Sequence, residues 1–72
     1  MTPELPLNSL AVDRARGDKI GYVMGRVGGY IQLRPPGGGV EWDADPEQVR
    51  PASETELLRA RVTELNHAGR IG

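Results

Sequence analysis

Cysteine is absent from this sequence. That excludes a disulfide framework and any zinc site built on thiolates. Phenylalanine is also absent, and the aromatic residues are one tryptophan and two tyrosines. A core must therefore be assembled from aliphatic side chains around Trp42. No apolar run approaches the ~20 residues that span a bilayer as a helix. The opening "MTPELPLNSL" has neither a basic leader nor an apolar stretch, so it does not read as an export signal and a cytoplasmic location is expected. An excess of positive charge is missing too: nine Lys and Arg against ten Asp and Glu give a net charge of −1, whereas a dedicated nucleic-acid binder carries a basic balance or stripe.

What remains is 72 residues, enough for one domain with a thin core. Self-association is a second source of burial for a domain of this size. Charge is segregated along the chain. Residues 1–34 and 57–72 are each net +2, and residues 35–56 are net −5. A dipolar surface of this kind suits protein partners.

The apolar pattern predicts short strands. In "LAVDRAR", Leu10 and Val12 alternate with Ala11 and Asp13, the mark of a half-buried strand. "RGDK" is a turn. "IGYVMGRV" carries apolar groups on both faces, Ile20, Tyr22 and Met24 against Val23 and Val27, and its glycines point to a bulge or bend. Gly28-Gly29 reads as a tight hairpin turn. In "YIQLR", Ile31 and Leu33 oppose Tyr30, Gln32 and Arg34. In "VEWDAD", Val40, Trp42 and Ala44 oppose Glu41, Asp43 and Asp45.

Residues directly opposed in an antiparallel pair share a face, which restricts how these last two strands can pair. One register sets Leu33 opposite Trp42, Ile31 opposite Ala44 and Arg34 opposite Glu41, with Pro36–Gly39 as the loop. A runner-up sets Leu33 opposite Val40. "DPEQVRPA" reads as one helical turn, with Asp45 as its cap and Pro46 in the first position, then a short edge strand near Val49. "SETELLRARVTELNHAG" is a helix. Ser53 and Glu56 form a capping box, His67 and Arg70 lie toward the negative end of its dipole, and Gly69 is the natural stop. Leu58, Val62 and Leu65, widened by Leu57, form a narrow apolar stripe that either docks on the sheet or pairs with its copy. The predicted fold is mostly β: a small SH3-like barrel of about five antiparallel strands in residues 9–52, then one C-terminal α-helix in 53–68. Residues 1–8 form a flexible lead-in and 69–72 a tail.

The segments "IGYVM", "LRPPGGGVEW" and "PEQVRPA" resemble a group of short actinobacterial (Streptomyces-type) proteins over residues 12–52. The same stretch is similar to PRC-barrel and KOW-type small barrels. The resemblance implies a family and a compartment, and, through the second likeness, partners that are proteins or RNA.

Chemistry finds little foothold. A phosphate loop needs a lysine and a helix after its glycines, whereas "GGG" leads into a strand flanked by Glu41, Asp43 and Asp45. Asp43, Asp45, Glu47 and Glu54 match calcium-loop positions 1, 3, 5 and 12, but Gln48 stands where that loop needs glycine. No base is placed to activate a serine or threonine. An enzyme is not expected, nor any cofactor or metal. Trp42 alternates with Val40 and Ala44 and reads as core, with a binding hot spot as the alternative.

The surface candidates for interaction are Tyr30, Arg34, Arg26, the acidic row Glu41, Asp43 and Asp45, and the helix stripe Leu58, Val62 and Leu65. The leading expectation is a non-catalytic protein-interaction or regulatory module that self-associates through its helix. The alternative is RNA or DNA binding through Arg14, Arg16, Arg26, Tyr30 and Arg34, with Tyr22 adding an aromatic face.

Overall fold

A computed structural model of the chain describes residues 5–69. Five strands, β1 (Leu10–Asp13), β2 (Lys19–Val27), β3 (Tyr30–Arg34), β4 (Trp42–Ala44) and β5 (Val49–Pro51), precede one helix, α1 (Glu54–Gly69). Single 3₁₀ turns sit at Arg14–Arg16 and Pro46–Gln48. All strand pairs are antiparallel, in the order β4-β3-β2-β1-β5. The mostly-β expectation of five antiparallel strands and a C-terminal helix therefore holds.

The expected barrel, however, is not closed. β4 and β5 are the two edges of the sheet and share no ladder. In a flat sheet, strand spacings of about 4.8 Å would set these edges about 19 Å apart. The connection between them is only Asp45–Gln48, most of it a 3₁₀ turn, which rises about 2 Å per residue. The sheet must therefore curl until its edges approach. The turn then occupies the seam where a closed barrel would have a ladder. Asp45 caps this turn by accepting from the Glu47 amide at 2.9 Å, and Pro46 begins it.

Curling creates an inner face. Val23, Ile31, Leu33, Trp42, Ala44 and Val49 pack there with Ala11 and Leu5. Each large aliphatic buried in this way is worth roughly 1.5–3 kcal/mol. The register of β3 and β4 is the one the alternation predicts, with Leu33 opposite Trp42 and Ile31 opposite Ala44. Gly21 lies beneath this pair. A Cβ there would stand 2.8 Å from Trp42 Cη2 and 2.9 Å from Leu33 Cβ, so only glycine lets the indole lie against β2.

Several local expectations are corrected. β1 is buried on both faces: Ala11 joins the inner core cluster, and Leu10 and Val12 share the other face with Tyr22 and Arg50, whose side chains reach α1. Asp13, expected on an open face, points into the core. The register shifts between Val23 and Gly25, which leaves Met24 as the extra residue of a bulge. Beyond the bulge the face parity reverses, so Val27 stands outside opposite Tyr30 and Arg26 stands opposite Ile31. β4 starts at Trp42, so the β3–β4 ladder ends at Leu33 and the expected Arg34–Glu41 pair is not part of it; Arg34 pairs with Tyr22 on β2. Val40 is 86% exposed, because it belongs to the β3–β4 loop. Gly37, Gly38 and Gly39 all have positive φ in that loop, and their departure from extended geometry releases Val40 from the strand pattern.

The expected lead-in differs where it is described, over residues 5–8; residues 1–4, and the expected tail from residue 70 onward, lie outside the described residues. Leu5 is buried. The Asn8 amide donates to the Val23 carbonyl at 2.7 Å, and the Val23 amide donates to the Ser9 carbonyl at 2.8 Å. These bonds continue the β1–β2 pairing toward the N-terminus.

Candidate interaction site

The interior polar group that organises the fold is Asp13, 1% exposed. Its Oδ2 accepts from Trp42 Nε1 at 2.9 Å and its Oδ1 accepts from the Ala15 amide at 3.0 Å. Arg16 Nε approaches the carboxylate at 3.8 Å, and Lys19 Nζ sits 4.4 Å from the centre of the Trp42 ring. This cluster ties β4 to β1 across the inside of the curl. It also fixes Trp42 as core, at 8% exposure. Both carboxylate oxygens of Asp13 and the indole N–H of Trp42 have structural partners, so the chemistry of the cluster is that of a clasp.

The outer face carries α1. Leu10, Val12, Tyr22 and Arg50 share that face through their cross-strand pairings. Buried Ala60 lets the helix approach closely. Two polar contacts pin it. The Arg50 guanidinium donates to both oxygens of Glu56 at 2.8 Å. The Tyr22 hydroxyl donates to Glu64. Glu56 also closes the capping box: the Ser53 amide donates to its Oε1 at 2.8 Å, and its own amide donates to Ser53 Oγ at 3.2 Å. The Arg50 hydrogen bonds, then those from Ser53, pull the Glu56 carboxyl down to about 2. The bond to Glu64, followed by partial burial, raises the Tyr22 hydroxyl above its ordinary value.

The predicted stripe lies on the other side of the helix. Leu58, Val62 and Leu65 are 62%, 54% and 71% exposed. At 3.6 residues per turn, the stripe is centred about 150° from the side that carries Glu56, Leu57, Ala60 and Glu64. Leu57 is half-buried and does not widen the stripe. Thr55, Leu58, Arg59, Val62 and Thr63 outline a shallow concavity along the exposed face. The side chain of His67 and all of Arg70 lie outside the described residues.

The other candidates fall in separate places. Tyr30 and Arg34 are exposed on the outer face of β3. Arg26 projects from the opposite face, because the bulge has reversed the parity of β2. Arg14 and Arg16 lie beside the start of β2, whereas Arg26 and Tyr30 lie at its far end. Nine residues of β2 separate the two groups, about 30 Å at strand rise. Glu41, Asp43 and Asp45 are all exposed along the β4 edge. Asp43 shares the outer face with Gln32.

Sequence reasoning missed the roles of Asp13, Tyr22 and Glu64. Only the contiguity of "AVD" within an otherwise apolar strand hinted at the first. No family model, curated protein or solved structure matches this chain. Among the described residues no helix is long and apolar enough to cross a membrane.

Proposed function

We propose that this protein is a non-catalytic, cytoplasmic interaction module that engages a protein partner, its own copy included, through the outward face of α1. The observation that carries this reading is the division of labour on the helix. Its docked side uses one alanine, a half-buried leucine and two carboxylates that reach Arg50 and Tyr22. Its solvent side carries three large aliphatic side chains in a row. Contiguous exposed apolar surface on a small domain marks a contact site more often than isolated apolar residues do. The acidic β4 edge supplies a charged neighbour that orients a partner.

The test is affinity capture from the source cells with wild type and Val62→Glu, read by quantitative mass spectrometry. The reading expects named proteins retained by the wild type and lost by the variant, with both chains equally folded by circular dichroism. Equal capture by both, together with salt-sensitive binding to RNA or DNA, would overturn it in favour of a nucleic-acid barrel.

A further inference from the structure

We infer that the partner of the α1 stripe is a second copy of this chain, with the two helices parallel in a two-stranded pair; this rests on the interaction-module reading above. The stripe steps by four residues and then by three, as in a heptad seam. Extended back one step, it places Thr55 and Val62 at the a positions and Leu58 and Leu65 at the d positions. β-branched residues at a with leucine at d are the combination that favours parallel two-stranded pairs. The shallow concavity on this face is lined by Thr55, Leu58, Arg59, Val62 and Thr63, and the first four are spaced i, i+3, i+4 and i+7, the set that makes a hole for a facing helix. Leu58 of the second copy is the knob that fills it.

Charge selects the direction. Glu54 and Arg59 are both exposed and occupy the g and e positions flanking the seam. In a parallel pair, g of one helix meets the e position five residues later in the other. Glu54 of each chain therefore meets Arg59 of its copy, and the two-fold axis makes the contact twice. An antiparallel pair centred on the same stripe would bring Arg59 against Arg59 and Arg61 against Arg61. Sterics allow the parallel arrangement, since the stripe is centred about 150° around the helix from the docked side and the two sheets stay on the outside. Two heptads make a weak, reversible dimer with a dissociation constant on the order of 0.1 mM.

The chain has no cysteine, so one engineered thiol reports direction cleanly. In Thr55→Cys, a parallel pair sets the two thiols within disulfide reach, with Cα atoms about 6 Å apart. An antiparallel pair leaves them about 15 Å apart along the axis. The expected result has three parts. Light scattering shows concentration-dependent dimers that Val62→Glu abolishes. Thr55→Cys oxidises to a covalent dimer. Glu54→Arg and Arg59→Glu each weaken the dimer about 3- to 10-fold, and mixing the two variants restores it.

Dimers without the Thr55→Cys cross-link would overturn the parallel pairing and leave the interaction module standing. A monomer at ~1 mM, well above the expected dissociation constant, would overturn the second-copy inference. If wild type alone still captured a different protein through the stripe, the module reading would survive that loss. If capture were also insensitive to Val62→Glu, both would fall.

Discussion

At the scale of single residues, the fold turns on the meeting of Gly21, Trp42 and Asp13. Gly21→Ala would drive a methyl group into Trp42 and Leu33, both held in the core. Urea denaturation should show a loss of about 1–3 kcal/mol, the usual cost of overpacking. Trp42→Phe keeps most of the ring but removes the indole N–H that Asp13 accepts. That leaves a buried carboxylate short of a donor, and the same measurement should show a loss of about 1–3 kcal/mol or more. Lys19→Gln removes only an exposed cation from the ring face, so its effect should stay below about 1 kcal/mol. A Gly21→Ala variant as stable as wild type would mean that the indole does not lie where Gly21 admits it.

At the scale of elements, α1 is held by polar pins more than by apolar burial, so its docking responds to pH. The folded Glu56 carboxyl titrates at about 2, against an ordinary value of 4.5. Because the folded value is the lower one, its stabilisation is complete above pH 4.5 and is lost as pH falls toward 2. The acid limb of a stability–pH curve should therefore be shallower in Glu56→Gln than in wild type. The Tyr22 hydroxyl is shifted the opposite way, upward from 10.0 by its bond to Glu64. In Tyr30→Phe, where Tyr22 is the remaining tyrosine, ultraviolet titration should show ionisation above that value. Titration at 10 or below would place Glu64 away from the hydroxyl.

Element-scale features were unevenly legible in the sequence. The β3–β4 register followed from parity alone, because Ile31 and Leu33 must share a face with Trp42 and Ala44. The capping box of Ser53 and Glu56 is local and reads directly. The bulge at Met24 is not local: one extra residue reverses every later side chain in β2, and the chain marks it only by a nearby glycine. That reversal is what separates Arg26 from Tyr30 and Arg34. Adjacent Leu57 and Leu58 likewise left the docked side of α1 undecided, and the choice was made by Tyr22 and Arg50 reaching acids on the helix.

At the scale of the whole molecule, the degree of closure was the least legible feature: a curled sheet was expected, but not that β4 and β5 would remain edges. Closure depends on contacts between distant residues, such as the hydrogen bond between residues 29 positions apart, which leave no periodic trace. The mostly-β architecture with its trailing helix was legible because alternation and capping are short-range signals. The resulting body has extents of 43 × 23 × 21 Å. Its helix presents an apolar row to solvent, and its β4 edge carries exposed acids. Sedimentation equilibrium on wild type and Val62→Glu, from roughly 10 µM to 1 mM around the expected dissociation constant, decides whether that apolar row joins two chains. The wild type should rise from the 7.8 kDa chain mass toward twice that value while Val62→Glu stays at the chain mass. A wild type that remains at 7.8 kDa throughout would contradict the helix-paired dimer.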